Sequence, residues 1–151
     1  MKNMRLIFLI LTLIWVAVIF SFSLQPGEVS GDLSGSVLES LLGFFMPGVL
    51  DNPEQLELFH LILRKCAHFT EFMILGVLSR TTLQYMELRY KGVCGLGFCV
   101  AVAALDETLQ LFVSGRAGRV QDVLIDSAGA LAGILTLVVC LRFKCKKRSK
   151  G

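Results

Sequence analysis

The sequence predicts an all-α integral membrane protein with four transmembrane helices. Both termini should be cytoplasmic, and a short amphipathic helix should lie in the outer loop between helices one and two. Three observations lead there. First, hydrophobic residues make up 54% of the 151 residues and charged residues only 18%, against about a quarter charged in a soluble domain. The mean hydropathy is correspondingly high, +0.69. Second, four segments approach the roughly 20 apolar residues that cross a bilayer core about 30 Å thick: about 5–22, 57–79, 93–112 and 122–142. They must be helices, because a lone strand cannot satisfy its backbone in lipid. Third, basic residues fall in alternate connections, the pattern that orients spans with positive charge inside. One domain, 1–151, accommodates all of this, with a basic tail at 143–151.

Span one, RLIFLILTLIWVAVIFSF, is opened by Lys2 and Arg5. A basic start and the small-x-small triplet Ser21-Phe22-Ser23 also describe a signal peptide. Against that, the apolar stretch is long, and cleavage would leave an odd number of spans. The connection 23–56 holds Glu28, Asp32, Glu39, Asp51 and Glu54 with no Lys or Arg, so it should lie outside. Within it, 33–45 (LSGSVLESLLGFF) places Leu33, Val37, Leu41 and Phe44 or Phe45 on one helical stripe, opposite Ser34, Ser36, Glu39 and Ser40. That pattern describes a helix on the outer leaflet, capped by Asp32 and separated from span two by Pro47 and Pro53. Arg80, Arg89 and Lys91 follow span two, and Arg142, Lys144, Lys146, Lys147, Arg148 and Lys150 follow span four. Both sets belong inside. The short loop 113–121 breaks the pattern with Arg116 and Arg119.

Five cysteines, Cys66, Cys94, Cys99, Cys140 and Cys145, form no CxxC pair. They read as small buried apolar residues, and no structural disulfide is expected. The basic residues sit where a membrane protein needs them, so nucleic acid is not an expected partner.

Span two carries the anomaly. RKCAHFTEF at 64–72 puts Arg64, Lys65, His68 and Glu71 inside a lipid-length apolar run. Spans two and four run inward and span three runs outward. Counting about 1.5 Å of rise per residue, these residues reach the same outer level as Asp106, Glu107 and Gln110 of span three. Asp122 and Asp126 of span four arrive there too, beside Arg116 and Arg119 of the loop. Arg64, His68 and Glu71 (i, i+4, i+7), Asp106 and Gln110 (i, i+4), and Asp122 and Asp126 (i, i+4) each share a helix face. Gly129 and Gly133 continue the last stripe as a GxxxG that permits close helix approach. One ionised residue at mid-membrane costs about 2.5–3.5 kcal/mol on insertion scales. These acids and bases should therefore pair with one another in a wet, outward-open cavity, and Arg116 and Arg119 should be held there by acids.

The ordered motifs RK-x-x-HF-x-E-F at 64–72, DE-x-x-Q at 106–110, GR at 115–116 and D-x-x-x-D-x-x-G-x-x-x-G from Asp122 to Gly133 resemble the VanZ-like family. The Ser-x-x-Pro element SLQP at 23–26 fits as well. The resemblance implies a small multi-span bacterial membrane protein of the cell envelope, from a family whose name comes from resistance to the lipoglycopeptide teicoplanin. Phe72 and Leu109 stand where the family often has Tyr and His, which argues against a two-histidine ligand set.

On this basis the leading reading is that the chain binds an envelope amphiphile such as a lipid-linked wall precursor or a lipoglycopeptide; chemical modification of that amphiphile is the alternative. Arg64, Lys65, Gln110, Arg116, Arg119, Asp122 and Asp126 are the expected binding residues. Arginine offers paired donors to phosphate or carboxylate. His68, Glu71, Asp106 and Glu107 are the candidates for acid–base work in a hydrolase or transferase reading. No cofactor motif is evident, although the carboxylates suit a hard divalent cation. A third reading makes the charges a structural network that only sets helix packing.

Overall fold

The computed structural model describes residues 2–26, 35, 40, 43–44 and 52–148. Among the described residues four long helices follow in order: α1 (Lys2–Ser23), α2 (Pro53–Tyr85), α3 (Lys91–Gln110) and α4 (Val120–Arg148). No strand occurs among the described residues. Helices α1, α3 and α4 are long and apolar enough to cross a membrane, with mean hydropathies of 2.7, 1.6 and 2.2 over their candidate spans. The chain is a multi-span membrane protein. Helix α2 is the longest at 33 residues, about 50 Å. The charges of RKCAHFTEF keep it out of the apolar class. Of the outer-loop helix expected at 33–45, only 35, 40, 43 and 44 are described, all helical, and the rest lies outside the described residues.

Two boundaries differ from expectation for a local reason. Pro53 does not separate segments; it is the first residue of α2. At that position its missing N–H has no helical partner to lose, and its fixed φ suits the first turn. Asn52 caps the helix, its Oδ1 accepting from the backbone N–H of Glu54 at 3.2 Å and Gln55 at 3.3 Å. At the other end α2 runs to Tyr85, beyond the expected residue 79.

Helix α2 packs against all three others, most extensively against α4. That contact is a backbone-to-backbone seam. A Cβ on Gly129 or Gly133 would overlap the carbonyls of Phe69 and Met73, and one on Gly76 would overlap the carbonyl of Ala130. Hydrogen at these positions is what lets the helices touch. The apolar core lies beside the seam, formed by Ile19, Phe72, Leu75, Cys99, Val102, Ala103 and Ala130. Toward the other end, the Thr12 and Thr82 hydroxyls meet at 2.9 Å. Expected burial of the cysteines is corrected: Cys99 is buried, while Cys66, Cys94 and Cys140 lie on the outer surface of the bundle. On a lipid-facing surface a thiol is as compatible as in a core.

Candidate functional site

The polar ends of α2, α3 and α4 converge as their i, i+4 patterns require. Helix α2 delivers Arg64, Lys65 and His68, and the α3–α4 loop delivers Arg116 and Arg119. Helix α4 delivers Asp122, and these six residues border a cavity of about 260 Å³. Next to it lies an inner cluster: His68 again, with Asp106 and Glu107 of α3 and Asp126 of α4. One donor atom from each of these four residues lies within 4.8 Å of all the others. Asp106, Gln110 and Asp126 have no exposed surface. Glu71 is the exception among the expected residues. It is half-buried, and it neither borders the cavity nor joins the carboxylate cluster.

The contacts within this region are specific. Lys65 Nζ pairs with Asp122 Oδ1 at 2.6 Å. Arg64 Nη2 donates to Gln110 Oε1 at 2.9 Å. The Gln110 amide then donates to Asp106 Oδ2 at 3.2 Å and Glu107 Oε1 at 3.0 Å. Glu107 Oε2 accepts from the Arg119 backbone N–H at 2.7 Å. His68 Nδ1 stands 3.8 Å from Asp126 Oδ1, too far for a hydrogen bond. Of the five buried side-chain atoms without a hydrogen-bond partner among the described residues, four lie here: His68 Nδ1, Asp106 Oδ1 and both Asp126 oxygens; the fifth, Arg80 Nε, lies elsewhere on α2.

The expected general pairing of acids with bases is corrected here. Lys65–Asp122 is the one Lys or Arg pair with a carboxylate among the described residues. Arg116 reaches no acid. Its Nε donates to the Gln25 carbonyl at 2.8 Å and its Nη2 to the Phe22 carbonyl at 2.9 Å. The Phe22 carbonyl otherwise accepts only a long bond from the Gln25 N–H, 3.3 Å, and the guanidinium serves it and the Gln25 carbonyl at once. Burial pushes the Arg116 pKa down from its ordinary value, and the Arg64 charge adds to this, with nearby carboxylates opposing. Its high intrinsic basicity still leaves it charged near neutral pH. Arg119 contributes only its backbone, and its side chain is exposed.

Two positioning residues were not expected as such. Ser23 Oγ donates to Asp106 Oδ2 at 2.7 Å, tying the end of α1 to the carboxylate cluster. Its only sequence signal was the Ser-x-x-Pro element. Trp15 Nε1 donates to the Glu71 carbonyl at 2.9 Å, locking α1 against α2 one turn from His68.

The fold and site together define a small helical membrane protein with a cation-rimmed cavity set over a buried carboxylate cluster. The VanZ/LLP1 family model matches residues 8–141, and the chain belongs to that family. No curated protein and no solved structure matches the chain.

Proposed function

We propose that this chain recognises a phosphate-bearing amphiphile of the cell envelope, the phosphate of its headgroup in the cavity and the acyl chain along the outer faces of the helices. One observation carries this reading. Arg64 and Arg116 are anchored by neutral acceptors, a glutamine oxygen and two backbone carbonyls, and neither is ion-paired directly with a carboxylate. Together with Lys65 and Arg119 they border one cavity. Positive charge held in place but not ion-paired is a preorganised anion site. Its 260 Å³ is below the about 300–1,000 Å³ of pockets for whole drug-sized ligands. That favours the phosphate portion of a lipid-linked wall precursor over an entire lipoglycopeptide as occupant. Teicoplanin-type resistance follows where holding that lipid keeps the drug from its target.

The same reading makes α2 the fourth span, both termini cytoplasmic, the cavity extracytoplasmic and 33–45 an interfacial helix on the outer leaflet. Residues 1–151 act as one unit. The acid-free run of positive charge in the tail supports that orientation. His68, Glu71, Asp106 and Glu107 remain the proposed acid–base groups of a second reading, a hydrolase or transferase on the same lipid. The support for it is that His68 belongs to both the cavity and the carboxylate cluster.

The test uses purified protein in nanodiscs, with retention of a polyprenyl phosphate compared with the matching polyprenol by native mass spectrometry. We expect selective retention of the phosphate, falling at least tenfold in the Arg64→Gln/Arg116→Gln double variant. Equal retention of the alcohol, or no effect of the double substitution, sinks the reading. A mass change in the retained lipid separates enzyme from binder.

A further inference from the structure

We propose that His68, Asp106, Glu107 and Asp126 form a binding site for one divalent transition-metal ion of the Mn²⁺ or Zn²⁺ kind. This goes beyond headgroup recognition and stands without it.

The first support is which atoms are left over. Ser23 Oγ and the Gln110 amide both bond Asp106 Oδ2, which leaves Oδ1 unpartnered. Both Asp126 oxygens and His68 Nδ1 are also buried without a partner. Asp106 and Asp126 have no exposed surface. Native proteins almost always give buried polar atoms a partner, and an isolated buried carboxylate is expensive. Apart from Arg80 Nε, farther along α2, the unpartnered buried side-chain atoms among the described residues come from α2, α3 and α4 and belong to the same four-residue cluster. The nearest lysine does not serve them, because Lys65 is engaged by Asp122.

The second support is the geometry. One donor from each residue lies within 4.8 Å of the others. Donors bound to one ion at about 2.0–2.2 Å stand about 3–4.3 Å apart, so small side-chain rotations close the set. His68 Nδ1 and Asp126 Oδ1, at 3.8 Å, are already too far apart for a hydrogen bond and within the span of two ligands on a shared ion.

The third is the surrounding support. Metal-binding carboxylates are themselves hydrogen-bonded by groups that orient them. Ser23, Gln110 and the Arg119 N–H do this for Asp106 and Glu107. The donor set selects the ion. Three carboxylates and one imidazole, with no thiolate, exclude soft metals. Calcium takes six to eight oxygens and no nitrogen. Manganese and zinc accept mixed oxygen and imidazole ligation.

The experiment measures metal on the detergent-purified full chain. The protein is stripped with chelator, equilibrated with Zn²⁺, Mn²⁺ or Mg²⁺, desalted and analysed for metal by mass spectrometry. Co²⁺ loading is read by its d–d absorption. We expect about one Zn²⁺ or Mn²⁺ per chain and little Mg²⁺. Binding should weaken at least tenfold in Asp126→Asn and in His68→Gln and stay unchanged in Glu57→Gln on the exposed face of α2. A monodisperse wild-type protein that retains no ion overturns the proposal outright, as does unchanged retention in folded Asp126→Asn or, should that variant not fold, in Asp106→Asn. Metal retention without phosphate-lipid retention would overturn the headgroup reading alone.

Discussion

Asp126 has no exposed surface, and neither of its carboxylate oxygens has a hydrogen-bond partner. A stable fold gains nothing from such a group on its own. Burying an unpaired charge costs several kcal/mol, and a residue that costs stability persists where function needs it. Asp126→Asn should therefore stabilise the chelator-treated protein. We expect about 1–2 kcal/mol, read as a rise of a few degrees in the thermal midpoint. A purely structural network predicts the opposite, since removing a needed partner lowers the midpoint. The cluster itself was legible in the sequence, because His68, Asp106 and Asp126 are ionisable residues in apolar runs at helical spacings. Its supports were not. Ser23 and Trp15 carry no charge and stand out little from a lipid-compatible stretch. The Arg116 contacts go to backbone carbonyls, which every residue has and no sequence pattern marks.

At the scale of elements, α2 explains how so polar a helix is tolerated. It packs against α1, α3 and α4, so His68 and Glu71 are half-buried against protein, while Arg64 stays exposed beside the cavity. Its ends were misplaced because a hydropathy window reports membrane thickness, whereas the helix starts where Asn52 and Pro53 cap it. The GxxxG of α4 was legible, since small residues four apart have few other uses in a span. What sequence could not supply was the partner, the carbonyls of Phe69 and Met73. The seam makes a sharp contrast between glycines. Gly133→Ala sets a methyl into a facing backbone and should cost about 2–4 kcal/mol. Gly97 of α3 has nothing within 4 Å of an added Cβ, so Gly97→Ala should be neutral or stabilise by up to about 1 kcal/mol. Folded yield and thermal midpoint in detergent check both. Equal effects would mean that α2 and α4 do not touch through these glycines.

At the scale of the whole molecule, the all-helical membrane class follows from composition, because few charges and three long apolar helices permit little else. The proposed extracytoplasmic sidedness of the site rests on a physical bias in insertion and not on any contact. Arg116 fastens the α3–α4 loop to the carbonyls at the end of α1, so Ala117 and Ser23 share one face of the bundle. The α2–α3 turn, with Leu88 and Arg89, lies at the opposite end of both helices it joins. Lysines and arginines cluster at that end and in the tail, and translocating them is disfavoured. The two arginines of the 113–121 loop do not reverse the balance. Both stay charged, but they are outnumbered by Arg142, Lys144, Lys146, Lys147, Arg148 and Lys150 of the tail. In a background lacking Cys66, Cys94, Cys99, Cys140 and Cys145, Ala117→Cys should react with an impermeant maleimide on intact cells. Leu88→Cys should react only after permeabilisation. The reverse pattern would turn the cavity toward the cytoplasm, where the lipids and metal ions it meets are different, and the envelope amphiphile would no longer be its ligand.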